Sequence, residues 1–275
     1  MFHQPRADRF TPMNQTELLY PYSSIAIAAT LFIAMLLFNE TGFQIGRFVQ
    51  KHTDNEIKTL TGSIQASVLG LLALMLGFTF SMSMQRYDSR SMALIDEANA
   101  IGTATLRVRL LPPEFQDRAR DQLKQYIDLR VAMGRVPLNR HEQRQEYNEE
   151  VGALQHALWS LAVEATNADP RAVTTGAYVQ SLNAVIDAQG RRNALQEMHV
   201  PETVLFLLFV VFIASGGMMG YSGGLSGKRI IAPVVLVALL VTLIVFIIID
   251  LDRPKRGLIQ VDQSALLELQ AGATR

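Results

Sequence analysis

The sequence predicts an all-α fold: a polytopic membrane protein with four transmembrane helices in two hairpin pairs, and a cytoplasmic antiparallel helical bundle inserted between spans 2 and 3. Three observations favour this fold. Four long apolar runs carry no internal charge. The polar region between the second and third runs has apolar residues at three- and four-residue steps, which is typical of helices. No stretch shows the two-residue alternation of a half-buried strand.

The four apolar runs each have about 20 residues, the number that crosses a hydrocarbon core about 30 Å thick. They are Tyr20–Phe38, Ile64–Met84, Thr203–Gly220 and Ile230–Ile249. Their limits divide the chain into an N-terminal tail (1–19), spans 1 and 2 with the connecting loop (20–84), a helical domain (85–200), spans 3 and 4 (201–250) and a C-terminal tail (251–275). We therefore predict four crossings of the bilayer.

The second span is predicted to continue into the helical domain as one helix, because no proline occurs between Ile64 and Pro112. Turn residues at Gly134–Pro137 and Asn167–Pro170 then divide the rest of the domain. Four helical pieces result, and an even number of antiparallel helices returns the chain to the membrane. The tail segment Leu258–Leu269 is apolar enough that we expect it to pack on this domain.

Lys and Arg residues close to the membrane favour a cytoplasmic location for the domain and both termini. The two hairpins place these three regions on one side, which has the larger number of such cations, including Arg86, Arg90 and Arg191. The opposite side has fewer, including Lys51 and Lys58. The chain is therefore predicted to be a multi-pass protein of the inner (plasma) membrane, with the lipid bilayer as its surroundings.

The sequence shows none of the patterns expected of an enzyme or a metal site in the context that each requires. It has no cysteine, its five histidines never stand three or four residues apart, and it contains no P-loop and no G-x-G-x-x-G motif after a strand. A G-x-S-x-G match occurs at Gly220–Gly224, but it lies at the end of span 3 and not in a turn between a strand and a helix. Lys and Arg together number 25, as do Asp and Glu, and this balance argues against a nucleic-acid partner. We expect no enzymatic activity, no cofactor and no metal.

Small residues recur along one face of the second span, and two interpretations stay open. Small side chains let helices pack closely, which is the commoner explanation. They also leave room along a pore, where Leu74, Phe78 and Met82 could form an apolar constriction if several copies surround an axis. Contact with lipid is the simpler explanation for these three side chains. The candidates for pore lining or constriction are Ser67, Gly70, Leu74, Phe78 and Ser81.

Polar residues follow the second span and end the fourth. Arg86 and Arg90 are four residues apart and share a helix face, so they could ring the cytoplasmic mouth of such a pore. The candidates for this mouth are Arg86, Asp88, Arg90, Glu97 and Asn99. Two acidic residues at the end of span 4 are too few for a calcium site. We expect instead a polar clasp at the membrane surface, formed by Asp250, Asp252, Arg253 and Arg256, in which the two acids pair with Arg253, Arg256 or the group of Arg86 and Arg90.

Several of these segments together resemble a known family. The segments are Gly70–Ser81, Arg86–Arg90, Asp96–Thr103 and Asp250–Gly257. They look like the bacterial membrane proteins with a bestrophin-like domain, and the resemblance covers nearly the whole chain from about residue 20. More remotely, the chain is similar to the bestrophins, which are pentameric anion channels with three apolar pore residues one helical turn apart. Calcium gating is not implied, because the chain lacks the acidic run of the bestrophin calcium clasp.

The resemblance does not assign the narrow part of a pore residue by residue. Alignment on Arg86 places Gly70, Leu74 and Phe78 at the three positions, whereas alignment on Val68–Gly70 places Ser63, Ser67 and Leu71 there. Two functions therefore remain. The first is a homo-oligomeric anion channel with span 2 along the axis and a small anion as its permeant partner. The alternative is a non-conducting membrane-anchored sensor or scaffold whose helical domain binds a protein.

Overall fold

The structure is a computed structural model that describes residues 19, 22–136, 140–253 and 257–273. The described residues form eight α-helices and two short 3₁₀ helices, and none of them forms a strand. The α-helices are α1 (Ser24–Val49), α2 (Asn55–Arg107), α3 (Pro113–Arg135), α4 (His141–Ala168), α5 (Thr175–Glu197), α6 (Glu202–Ser226), α7 (Ile231–Asp252) and α8 (Ser264–Ala273). The all-α prediction is confirmed.

Four helices, α1, α2, α6 and α7, contain stretches long and apolar enough to cross a membrane, as predicted. Helix α1 begins at Ser24, where the Ser23 hydroxyl accepts a hydrogen bond from the N–H of Ala26 at 3.1 Å and caps the first turn. Helix α6 extends beyond the apolar run to Ser226. It ends there because Gly227 adopts a left-handed conformation with φ +67°.

Helices α1 and α6 make the most extensive contact between any two helices in the described chain. Glycines on both helices bring the backbones together, and a Cβ atom added to Gly220 would overlap the carbonyl of Asn39. A Cβ atom on Gly42 would likewise overlap the carbonyl of Gly217. The Asn39 side chain donates a hydrogen bond to the carbonyl of Gly216 at 3.0 Å. The glycine pairs near the end of span 3 therefore serve close helix packing.

The spans pack across the two hairpins rather than within them. Helix α1 packs on α6 and α7, and α2 packs on the same two helices. In the described part of the chain, α1 and α2 do not pack on each other. The two predicted hairpins therefore give the order in which the chain crosses the membrane. The main packing contacts of α1 and α2 are with α6 and α7 of the other hairpin.

The helical domain is a bundle formed by the second half of α2 with α3, α4 and α5. Helix α2 packs on α5, α3 packs on α4, and α4 packs on α5. Helix α3 begins with Pro113 in its first turn, where a missing N–H costs nothing. The buried apolar core includes Leu94, Ile101, Leu123, Tyr126, Leu158, Leu161, Tyr178 and Leu182.

The C-terminal segment returns to this bundle, as we expected. Helix α8 packs on α3 and α2, and its Leu266 is fully buried in the core of the domain. The Gln270 amide donates to the carboxylate of Asp128 on α3 at 2.7 Å. Leu258, at the start of the expected segment, remains largely exposed. The packing therefore comes from the helical part of the tail.

Candidate functional site

Helix α2 is 53 residues long, about 80 Å at 1.5 Å per residue, and one of its faces is uncovered along most of that length. We call this the open face of α2. It consists of residues three, four or, at its end, seven apart, all of which are exposed in the protomer. They are Ser63, Ser67, Gly70, Leu74, Phe78, Ser81, Gln85, Asp88, Met92 and Asn99.

The opposite face of α2 is buried along the same length. It packs on α6 and α7 within the membrane and on α5 in the domain. Its buried residues include Leu72, Leu76, Thr79, Ser83, Arg90, Leu94, Glu97, Ile101 and Ala104. One continuous helix is therefore held by the protein on one side and left open on the other, from the middle of the membrane into the domain.

All five candidates for pore lining or constriction lie on the open face. Leu74 and Phe78 are 55% and 63% exposed, and they are one helical turn apart. A Cβ atom added to Gly70 would meet no atom within 4 Å. Within the protomer, these small residues therefore do not pack against another helix. The Ser67 hydroxyl donates to the carbonyl of Ser63 at 3.0 Å, so its oxygen lone pairs remain available on this face.

The five mouth candidates separate into three groups. Asp88 and Asn99 lie on the open face. Arg86 is half-buried and lies about 100° around the helix from Gln85, on the flank of that face. Gln85 is exposed on the open face directly after the apolar run, but its uncharged amide carries no signal in the sequence that would predict a place at the mouth. The other two candidates, Arg90 and Glu97, are buried.

Arg90 cannot line a mouth, which corrects the sequence-based expectation, because only 3% of it is exposed. Its guanidinium donates to the main-chain carbonyls of four residues in two different segments. They are Leu195 at 3.1 Å, Met198 at 2.5 Å, Leu251 at 3.2 Å and Asp252 at 3.1 Å. Arg90 thus ties α2 to the last turn of α5, to the link that follows it and to the end of α7.

Glu97 is also wrong as a mouth residue, because it is 0% exposed and lies inside the helical domain. Its carboxylate pairs with Arg130 of α3 at 2.5 and 3.0 Å and with Arg192 of α5 at 2.6 Å. Burial raises the pKa of Glu97, but the two guanidinium groups outweigh it and lower the pKa overall. Arg192 also donates to Gln263, just before α8, at 3.3 Å. The buried cluster thus joins three helices and the C-terminal segment.

The expected polar clasp at the end of α7 is met in part: one predicted cation, Arg90, lies beside Asp252, but the closest partners of the two acids are backbone groups. Both carboxylate oxygens of Asp252 accept the N–H of Val200, at 3.0 and 3.1 Å, and Arg90 is 4.0 Å away. The carboxylate of Asp250 accepts the N–H of Ile259 at 2.9 Å. These two acids therefore bind backbone N–H groups, which the sequence alone does not reveal. Arg256 lies outside the described residues.

Arg253 completes this junction by reaching the start of the first span. Its guanidinium donates to the carbonyls of Tyr22 and, at 2.5 Å, Leu19. The N–H of Leu19 in turn donates to Glu202, the first residue of α6, at 2.8 Å. The N-terminal side of α1, the beginning of α6 and the end of α7 are therefore connected at one level, where the spans meet the domain.

Within the ranges that the structure describes, no three His, Cys, Asp or Glu side chains come together as a metal site would need. The arrangement at α2 is instead a long helix with an open face, anchored by Arg90 at the membrane surface and by Glu97 within the domain. The open face of such a helix is available to contact another molecule or to line a passage.

Comparison with known proteins assigns this architecture. The family described as "Bestrophin-like domain" matches residues 32–266. A crystal structure of a variant of a bacterial bestrophin homolog from Klebsiella pneumoniae has a similar fold, with a TM-score of 0.67 and 14% sequence identity. The match covers 90% of this chain and 96% of that one. A second variant of that homolog gives a TM-score of 0.61 at 14% identity, with coverage of 89% and 96%. Among curated proteins, none matches.

Proposed function

Because the chain belongs to the bestrophin-like family, we propose that it is one subunit of an oligomeric ion channel in which α2 lines the central axis and anions pass. The family and the fold support a membrane channel in general terms. We propose in addition that the subunits form a ring and that α2 lines its axis. These two features rest mainly on one observation, the open face of α2.

The open face has polar residues within and next to the membrane, where lipid would be a poor neighbour. It also has an exposed apolar residue beyond the membrane, where water would be a poor neighbour. Ser67 and Ser81 lie within the apolar run, and Gln85 and Asp88 follow on the same face. Beyond the membrane, Met92 is 55% exposed on that face. A cyclic ring of subunits would surround the polar groups with water along an axis and would bury apolar groups such as Met92 between neighbours.

Leu74 and Phe78 are our candidates for the narrow part of this axis. They are one turn apart on the open face, and small or polar residues lie on either side of them. Repeated around a ring, two levels of apolar side chains would exclude water when the ring is narrow and admit hydrated ions when it widens. Gly70 and Ser81 would border wider, more polar levels above and below this constriction.

The preference for anions comes from the family. Charges near the proposed mouth are balanced, because Asp88 is on the open face and Arg86 is on its flank. We further propose that the helical domain and both termini are in the cytoplasm and that the membrane is the inner (plasma) membrane. Both proposals rest on the distribution of Lys and Arg described above.

Reconstitution of the purified protein into liposomes, with measurement of chloride flux, tests this function. The Phe78→Ala variant shortens the side chain at the proposed constriction, so we expect a several-fold change in flux. Phe80→Ala is the matched control: Phe80 is also exposed, at 40%, but lies about 200° around the helix from Phe78. Its substitution should leave the flux unchanged.

Native mass spectrometry of the detergent-solubilised protein provides the second arm. A closed ring of four or more subunits is expected. A monomer or dimer that gives no flux would refute the channel and support the membrane-anchored sensor or scaffold. A conducting ring in which Phe78→Ala and Phe80→Ala behave alike would refute the lining by the open face while leaving the channel intact.

A further inference from the structure

A groove beside α2 lies at the level where the spans meet the aqueous domain. It encloses about 210 Å³ between Met82, Gln85, Arg86 and Ser89 of α2 and Leu195 and Met198 of the opposite wall. The apolar run of α2 ends at Met84, and α6 enters the membrane from Glu202. Both walls of the groove are therefore within a few residues of the membrane surface, where lipid headgroups lie.

Arg86 has no partner of its own in this groove. Among the residues that the structure describes, it has no hydrogen bond and no ion pair, although it is half-buried. Arg90, one turn further along α2, is by contrast fully engaged with main-chain carbonyls. A half-buried guanidinium next to apolar side chains gains most from a phosphate, whose oxygens accept its N–H groups in pairs.

The rest of the groove is suited to an amphiphile. Met82, Leu195 and Met198 give it an apolar surface, and Met198 is 51% exposed despite this character. The Ser89 hydroxyl is exposed at the aqueous side of Arg86 and can donate to a second phosphate oxygen. A soluble anion would use only the polar half of this surface.

We propose that the groove binds one anionic phospholipid from the leaflet on the side of the domain. Arg86 pairs with the lipid phosphate, and the first part of an acyl chain lies against Met82 and Met198. The wall of the groove is fixed by Arg90, which holds the carbonyls of Leu195 and Met198 in place. The lipid thus binds to α2 and to the link between α5 and α6 together. This proposal does not depend on whether the protein conducts ions.

Native mass spectrometry of the delipidated full-length protein, titrated with dioleoyl phosphatidylglycerol, tests the proposal. We expect Arg86→Gln to weaken binding of one lipid per protomer about fivefold, the effect of one basic residue near a membrane surface. Arg86→Lys should restore most of the affinity. Arg109→Gln is the matched control, because Arg109 is exposed beyond the end of α2 and far from the groove. It should leave the affinity unchanged.

Two further arms distinguish the source of the phosphate. Met198→Ser should weaken phosphatidylglycerol binding but not the binding of inorganic phosphate, and inorganic phosphate should compete poorly with the lipid. Equal competition by inorganic phosphate would overturn the lipid proposal in favour of a soluble anion. Unchanged lipid binding by Arg86→Gln, or a change in oligomeric state without a change in lipid binding, would also overturn it. The latter result would mean that a second copy of the chain covers the groove.

Discussion

Replacing Glu97 by glutamine tests the buried cluster of the helical domain most directly. Glu97 is the only acidic group that the described structure places against the two buried guanidinium groups of Arg130 and Arg192. Glutamine keeps nearly the same shape but leaves two positive charges buried without a counter-charge. Breaking a buried pair in this way costs about 3–5 kcal/mol of unfolding free energy.

The single tryptophan of the chain makes the loss measurable. Trp159 lies on α4, so its fluorescence reports unfolding of the domain rather than of the spans. At about 2–4 °C per kcal/mol for a protein of this size, Glu97→Gln should lower the midpoint of thermal unfolding by roughly 10 °C. The midpoint is measured on the detergent-solubilised protein at neutral pH.

A surface ion pair provides the matched control. Glu164 pairs with Arg118 at 3.0 Å, but its side chain is 51% exposed, and such pairs contribute about 0–1 kcal/mol. Glu164→Gln should therefore shift the midpoint by about 4 °C or less. If the Glu97 and Glu164 variants unfold at similar temperatures, the buried cluster does not stabilise the domain as we infer, and the expected cost of about 3–5 kcal/mol is refuted.

Three further predictions follow from other parts of the structure. Gly220→Leu should separate α1 from α6, because even a Cβ atom at this position overlaps the carbonyl of Asn39. The yield of folded protein should therefore fall sharply. Gly62→Ala is the control and should be tolerated, because no atom lies within 4 Å of the added Cβ. Arg90→Met should release the carbonyls of the segment 195–198, seen as faster backbone hydrogen exchange there than in the wild-type protein. Because the pKa of Glu97 is held below its ordinary value of 4.5, domain stability should decline as the pH falls below about 4.5, and Glu97→Gln should flatten that decline.

The fold was largely predictable because its signals are local in the sequence. Apolar runs identify the spans, and the absence of proline before Pro112 predicts the long helix α2. The pairing of α1 with α6 was not predictable, because the glycines that permit it lie about 180 residues from their partners, as the hydrogen bond from Asn39 to Gly216 illustrates. Sequence spacing shows that glycines are available for packing, but it does not identify the helix that uses them.

The candidate site was only partly predictable for the same physical reason. Spacing of four residues correctly placed Arg86 and Arg90 one turn apart, but it cannot tell which side of a helix is buried. Their different roles depend on segments more than 100 residues away, such as the Leu195 carbonyl that Arg90 binds. Glu97 likewise looked like one of several polar residues, since its partner Arg130 is 33 residues further along the chain. Long-range partners decide which charged residues are structural.

The two faces of α2 together constrain how a signal in the domain could reach the proposed pore. Glu97 and Phe78 lie on one unbroken helix, 19 residues or about 28 Å apart. Because no proline interrupts α2 and Arg90 fixes it between them, the helix cannot bend at the membrane surface without breaking buried hydrogen bonds. A change at the buried cluster or in the C-terminal segment bound to it must therefore reach Phe78 through movement of α2 as a rigid body, or through release of Arg90. Rigid-body movement would displace the open face in every subunit of a ring, and release of Arg90 would instead free the membrane-embedded half of α2 from the domain. Hydrogen exchange at the Arg90 contacts, compared between conducting and non-conducting conditions, distinguishes these two routes.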